Sequence, residues 1–144
     1  MRTLISVALV TLLTVGIALA GEYQRESAAF EAAFAAKDYG KAAGIATTNV
    51  GKGNALNAQA YKLLVSGDMD GAKKLLLESI AADPEQFWAH NNLGVILLAE
   101  GDCSAAMKEF QLSVDANSKA SDERAGARVD KAKANIAIAE KDCM

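Results

Sequence analysis

Few side chains in this sequence are spaced for chemistry. There is one histidine, His90. A metal site needs several converging ligands, so a single histidine in a helical stretch reads as a packed or surface residue. No H-E-x-x-H, G-x-S-x-G or phosphate-cradling loop is present. Gly51-Lys52-Gly53 is too short to wrap a phosphate and reads as linker. Asp68 and Asp70 are paired carboxylates, but they stand at a helix start, where acidic side chains favour the positive end of the helix dipole. General acid–base work would need them in a cleft that perturbs their ionisation. The sequence therefore predicts no catalytic residue, no metal and no cofactor, and no small-molecule substrate is expected.

The two cysteines, Cys103 and Cys143, carry more information. An even count in an exported chain points to a disulfide; in a reducing compartment two unrelated thiols would be the reading. The N-terminus bears on that choice. Met1-Arg2 is followed by an uncharged apolar run from Leu4 to Ala20, which ends in Ala18-Leu19-Ala20 before a polar chain opens at Gly21-Glu22. A short basic start, an apolar stretch and a small-x-small ending are the marks of a signal peptide. The expectation is cleavage after Ala20 and export, into a bacterial periplasm. The alternative is an uncleaved membrane anchor, although the run is short for a span. Loss of Arg2 would leave the mature chain one unit more negative than the net −3 of the whole sequence. An acidic chain argues against nucleic acid, whose binding needs clustered Lys and Arg.

The elements that must position these residues are helices. Apolar residues make up 51% of the chain but aromatics only 6%, and Pro84 is the single proline. That balance suits thin, alanine-rich helices in close contact. Shifted by 34 positions, 53–86 falls on 87–120 with ten identities, including Ala55/Ala89, Asn57/Asn91, Leu63/Leu97, Leu64/Leu98, Gly67/Gly101, Asp68/Asp102, Ala72/Ala106 and Ser79/Ser113. Chance would give about three in a chain so rich in alanine, so the repeat is real. Each copy reads as two helices. Asp83-Pro84-Glu85-Gln86 has the form of a helix start. Gly101-Asp102 ends one helix and caps the next, and Ala106, Phe110 and Val114 then mark a buried stripe spaced by four.

This pattern resembles the tetratricopeptide repeat, on Leu93-Gly94, Gly101, Ala106 and Phe110 in the second copy and Gly67, Ala72 and Pro84 in the first. It departs from that family in having Gln59-Ala60 where Leu-Gly is usual and Ser118 where proline is usual, and in placing Leu56 and His90 at the early tryptophan position. The flanks look like worn copies. Lys37-Asp38 stands where Gly67-Asp68 stands in the next unit, and Asn49–Gly53 reads as the connecting loop. Ala139-Glu140-Lys141-Asp142-Cys143 echoes Ala99–Cys103 at an offset of 40, after an insertion near Asn117–Ser121. Both cysteines thus stand just past the end of a unit's first helix. The expected organisation is a signal segment over 1–20, a degenerate hairpin over 21–52, repeats over 53–86 and 87–120, and a capping helix over 121–144. The expected fold class is all-α: a right-handed superhelix of antiparallel helix hairpins with a C-terminal capping helix.

The resemblance implies an interaction scaffold of the cell envelope that takes a peptide or protein partner on the concave face formed by the first helices of the units. The positions matching that face are Asn57, Tyr61 and Leu64, then Trp88, Asn91, Val95 and Leu98, and on the last helix Arg128, Lys131 and Asn135. A lysine followed four positions later by asparagine, as in Lys131 and Asn135, can help such proteins hold a carboxylate. Two other readings stand beside this one: Leu64 and Leu98 as core, and the charges of the last helix as its solvated back. The functional alternative is a self-associating structural or assembly-helper subunit for envelope, pilus or secretion machinery, since small arrays have open ends that can stack. A membrane is expected as partner only if the N-terminal segment is retained.

Overall fold

The structure, a computed structural model, describes residues 28–118 and 125–143. The expected signal segment, its cleavage point before Gly21 and residues 119–121 of the expected insertion lie outside the described residues. Within them every regular element is helical. Helix α1 covers 28–35, followed by α2 (Tyr39–Ile45), α3 (Asn49–Ser66), α4 (Met69–Ala82), α5 (Phe87–Ala99), α6 (Cys103–Ser118) and α7 (Ala125–Asp142).

One turn is used three times. It joins α1 to α2, α3 to α4 and α5 to α6. In each, the N–H of an aspartate closes back on the carbonyl five residues earlier: Asp38 on Ala33, Asp68 on Leu63 and Asp102 on Leu97, at 3.0, 2.9 and 2.9 Å. The residue before the aspartate takes a left-handed conformation, which is how a helix end satisfies its last carbonyls. Gly67 (φ 87°) and Gly101 (φ 83°) adopt it without steric cost; Lys37 (φ 59°) adopts it with a side chain. The aspartate carboxylate then accepts a hydrogen bond from the N–H three residues on, in Lys41, Gly71 and Ala105, at 3.2, 2.9 and 3.0 Å. The worn first unit therefore keeps the turn although it has lost the glycine.

Two boundaries differ from the sequence reading. Residues 49–53 are not a loop but the first turn of α3. Thr48 caps it, its hydroxyl accepting from Gly51 N–H at 3.0 Å. The glycines there serve packing. A Cβ on Gly53 would lie 2.9 Å from Asp83 Cβ, and the Gly53 carbonyl accepts from Ser79 Oγ at 2.7 Å, so α3 and α4 meet closely at that point. Helix α5 begins at Phe87, later than Asp83-Pro84 suggests, with Gln86 as its cap. Asp83 instead ends α4, and its carboxylate accepts from Glu85 N–H at 3.1 Å, which holds 83–86 as a turn.

The helices lie in two layers. Helices α3, α5 and α7 neighbour one another, while α4 packs on both α3 and α5, and α6 on both α5 and α7. The core between them is small-residue rich. Ala60, Ala72, Leu76, Ala89, Leu93 and Ile96 fill the space among α3, α4 and α5. Ala106, Phe110 and Ala139 form the next cluster, and Ala33, Ala42 and Ala55 the first. Gly94 is needed where α5 crosses α6, since a Cβ there would come within 2.5 Å of Phe110 Cε1. The equivalent Ser79 and Ser113 are both buried, as the repeat implies. His90 is a packed residue: it is 5% exposed, its Nε2 donates to the Pro84 carbonyl at 2.9 Å, and Nδ1 bonds the Glu109 carboxylate at 2.7 Å. Cys103 and Cys143 are joined in a disulfide with their Cα atoms 6.0 Å apart.

Candidate functional site

The α3–α5–α7 layer presents a shallow groove of 310 Å³ lined by Asn57, Ala58, Tyr61, Trp88, Asn92 and Lys131. Four of these, Asn57, Tyr61, Trp88 and Lys131, were singled out in the sequence. Asn57 and Tyr61 are four apart on α3 and so share a face. Trp88 and Asn92 have the same spacing on α5. The Asn92 amide donates to Asn57 Oδ1 at 3.0 Å, which fixes the floor between the two helices. Tyr61 stands 57% exposed on one wall. Lys131 comes from α7 and holds its ammonium 5.2 Å from the centre of the Trp88 ring, an attraction between a cation and the negative face of an aromatic.

The remaining candidates are placed elsewhere. Leu64 and Leu98 are half-buried: Leu64 packs against the Ala60–Leu93 cluster and Leu98 against the Phe110–Ala139 cluster, and neither lines the groove. Asn91 is buried, and its Oδ1 accepts from the Asn135 amide at 2.8 Å, which makes the two a polar rung between α5 and α7. Arg128 lies over the Phe87 ring at 4.3 Å and donates from Nε to Asn117 Oδ1 at 2.8 Å. It fastens α7 to α5 and α6. Val95 is 43% exposed on α5 but does not line the groove.

Asn92 and Ala58 were missed by sequence reasoning. The repeat period of 34 pairs Asn57 with Asn91, but the amide that meets Asn57 across the helix gap is one residue further on, in Asn92. Asn91 faces the other neighbour. Two consecutive asparagines, one for each adjacent helix, were the available signal.

The groove's electrostatics are one-sided. Among the described residues its lining carries one ammonium, two amides, a phenol and an indole, and no carboxylate, in a chain of net charge −3. Such a surface offers donors and a cation to an anion, and aromatic faces to apolar carbons.

No protein-family model matches the sequence, and no curated protein matches it. Among solved structures, the chain is similar to the TPR domain of Sgt2 from Aspergillus fumigatus, at 19% identity and a TM-score of 0.47, over 83% of this chain and 82% of that one.

Proposed function

We propose that the protein is an exported interaction module of tetratricopeptide-repeat type, which holds a segment of another protein in the Tyr61–Trp88–Lys131 groove and performs no catalysis. The observation that carries this reading is the groove lining: two aromatic walls, an amide floor and, among the described residues, a single ammonium with no carboxylate in the lining. A peptide bearing an acidic side chain beside an apolar one satisfies all three. The carboxylate would take its donors from Lys131 and the Asn57/Asn92 amides, and the apolar group would cover Tyr61 and Trp88, residue types that dominate binding hot spots. The internal repeat and the thrice-used turn support the family assignment. The apolar run closing at Ala18-Leu19-Ala20 supports export with a mature start at Gly21, to be checked by intact mass of the secreted protein. The disulfide suits an oxidising compartment such as the periplasm.

Selection from a random peptide-display library tests the binding reading. Bound sequences should be enriched in Asp or Glu next to apolar residues, Tyr61→Ala should abolish their capture, and Lys131→Glu should invert the charge preference. Binders without charge bias, or indifferent to both substitutions, would reject the groove. If selection yields nothing and the protein elutes as a larger species with rising concentration, self-association is the better account. Its surface would then be the outer face of α4, where Leu77 is 52% exposed between Lys73, Lys74 and Glu78.

A further inference from the structure

We propose that the Cys103–Cys143 disulfide is a thiol-operated latch that keeps α7, and with it Lys131, in place on the groove. Helix α7 is weakly held by apolar contact. Among its described side chains only Ala132 and Ala139 are buried, and each offers a single methyl group. By contrast α5 buries Ala89, His90, Asn91, Leu93, Gly94 and Ile96. What fastens α7 is polar and lies in its first eleven residues: Arg128 on Phe87 and Asn117, Lys131 on Trp88, and Asn135 on Asn91. Beyond Asn135 the helix has Ile136 and Ala139 against the α6 cluster, and then the disulfide, which ties its end to the first residue of α6. Elements with few buried apolar contacts open at the lowest free energy. The bond therefore stands at the end that would otherwise fray, on the one helix that supplies the groove's cation.

The bond is also open to reagents, because Cys143 is exposed while Cys103 is half-buried. A small dithiol or a dithiol oxidoreductase can act on it. A thiolate of the reductant attacks Cys143 Sγ, the Cys103 thiolate leaves and takes a proton, and a mixed disulfide forms at Cys143. The reductant's second thiolate then attacks its own sulfur in that mixed disulfide, and the Cys143 thiolate departs. Two electrons pass to the protein, two thiols remain on it, and the reductant carries the new disulfide. With the latch open, α7 detaches, Trp88 loses its ammonium, and the groove loses the wall that recognises an anion. The loss of binding rests on the groove reading above; the release of α7 does not.

Amide hydrogen exchange by mass spectrometry, with and without dithiothreitol, follows the helix directly. Peptides from α7 should exchange at least tenfold faster after reduction while those from α3, α4 and α5 stay protected. Emission from Trp88, the chain's single tryptophan, should change in step, and both should revert on reoxidation. The double variant Cys103→Ser, Cys143→Ser should behave as the reduced protein without any reagent, which separates the bond from side effects of dithiothreitol. A peptide enriched in the display selection, labelled with a fluorophore, should then bind the reduced protein at least tenfold more weakly. Unchanged α7 exchange in both the reduced protein and the double variant would overturn the latch and leave the groove reading intact. Faster α7 exchange with undiminished peptide binding would overturn the gating, and would show that the ligand does not use the α7 wall. Uniformly faster exchange across all helices would also overturn it, as the bond would then be a staple of the whole fold.

Discussion

Replacing Gly94 by alanine sets two effects of known sign against each other. Gly94 is a buried residue in the middle of α5. On helix propensity alone alanine should stabilise the protein by about 1 kcal/mol. The structure argues for the opposite net result. A Cβ at this position would lie 2.5, 2.6 and 3.0 Å from Cε1, Cδ1 and Cζ of the Phe110 ring, all far inside carbon–carbon contact. Phe110 is fully buried and packed with Ala106 and Ala139, so the ring has no free space to enter. Forcing a methyl group into such a core costs about 1–3 kcal/mol, and three contacts this short put the cost in the upper part of that range, at about 2–3 kcal/mol. The net prediction is a loss of about 1–2 kcal/mol, read as a lower urea midpoint with an unchanged slope. Gly126→Ala is the control. Gly126 is an exposed glycine of α7 with nothing within 4 Å of its Cβ position, and that change should stabilise by about 0.5 kcal/mol. The pair Gly94→Ala with Phe110→Leu should lose less than the two single losses added, because the smaller side chain vacates the contested volume. A Gly94→Ala protein as stable as, or more stable than, the parent would refute the argument, since it would mean that α5 and α6 do not cross at the spacing described.

Other outcomes follow from other parts of the molecule. Lys37 holds a left-handed conformation that Gly67 and Gly101 hold at the equivalent turns, so Lys37→Gly should stabilise by about 0.5–1 kcal/mol in urea titration, where most exposed lysine replacements do nothing. The disulfide closes residues 40 apart in sequence, so its reduction should take about 3–4 kcal/mol of loop entropy from the docking of α7 on α6, read in urea titration as loss of one helix's circular-dichroism signal ahead of the main transition. His90→Ala should cost about 2–4 kcal/mol, because it removes a packed ring and leaves the Pro84 carbonyl and the Glu109 carboxylate without that partner. Lys131→Glu should leave the urea midpoint within about 0.5 kcal/mol of the parent, since Lys131 is exposed, while removing capture of acidic peptides.

How much of this was legible in the sequence depends on what each residue's role required. The turns were readable because each places a left-handed residue and a capping aspartate next to each other, and that demand survives even in the worn first unit as Lys37-Asp38. The core stripe was readable through its period, from Ala72 and Leu76 to Ala106 and Phe110. The pairing of the cysteines was readable because their shared position past two helix ends needs only the final helix to return beside α6. The helix starts were harder. Asn49–Gly53 looks like loop because glycines disfavour helices, but Thr48 supplies the cap and Asp83 occupies the space that a side chain at 53 would need. The groove was half legible for a related reason. Period locates equivalent residues, whereas a binding surface is made by residues that meet across a gap between unlike helices. Lateral contacts run from Asn57 to Asn92, from Asn91 to Asn135 and from Trp88 to Lys131, at separations of 35, 44 and 43. None of these equals the 34 of the repeat, because neighbouring helices are also rotated and displaced along their axes. A repeat alignment therefore finds the helices of a site more readily than the side chains that close it, and the tandem Asn91-Asn92 shows why: adjacent residues on one helix face opposite neighbours.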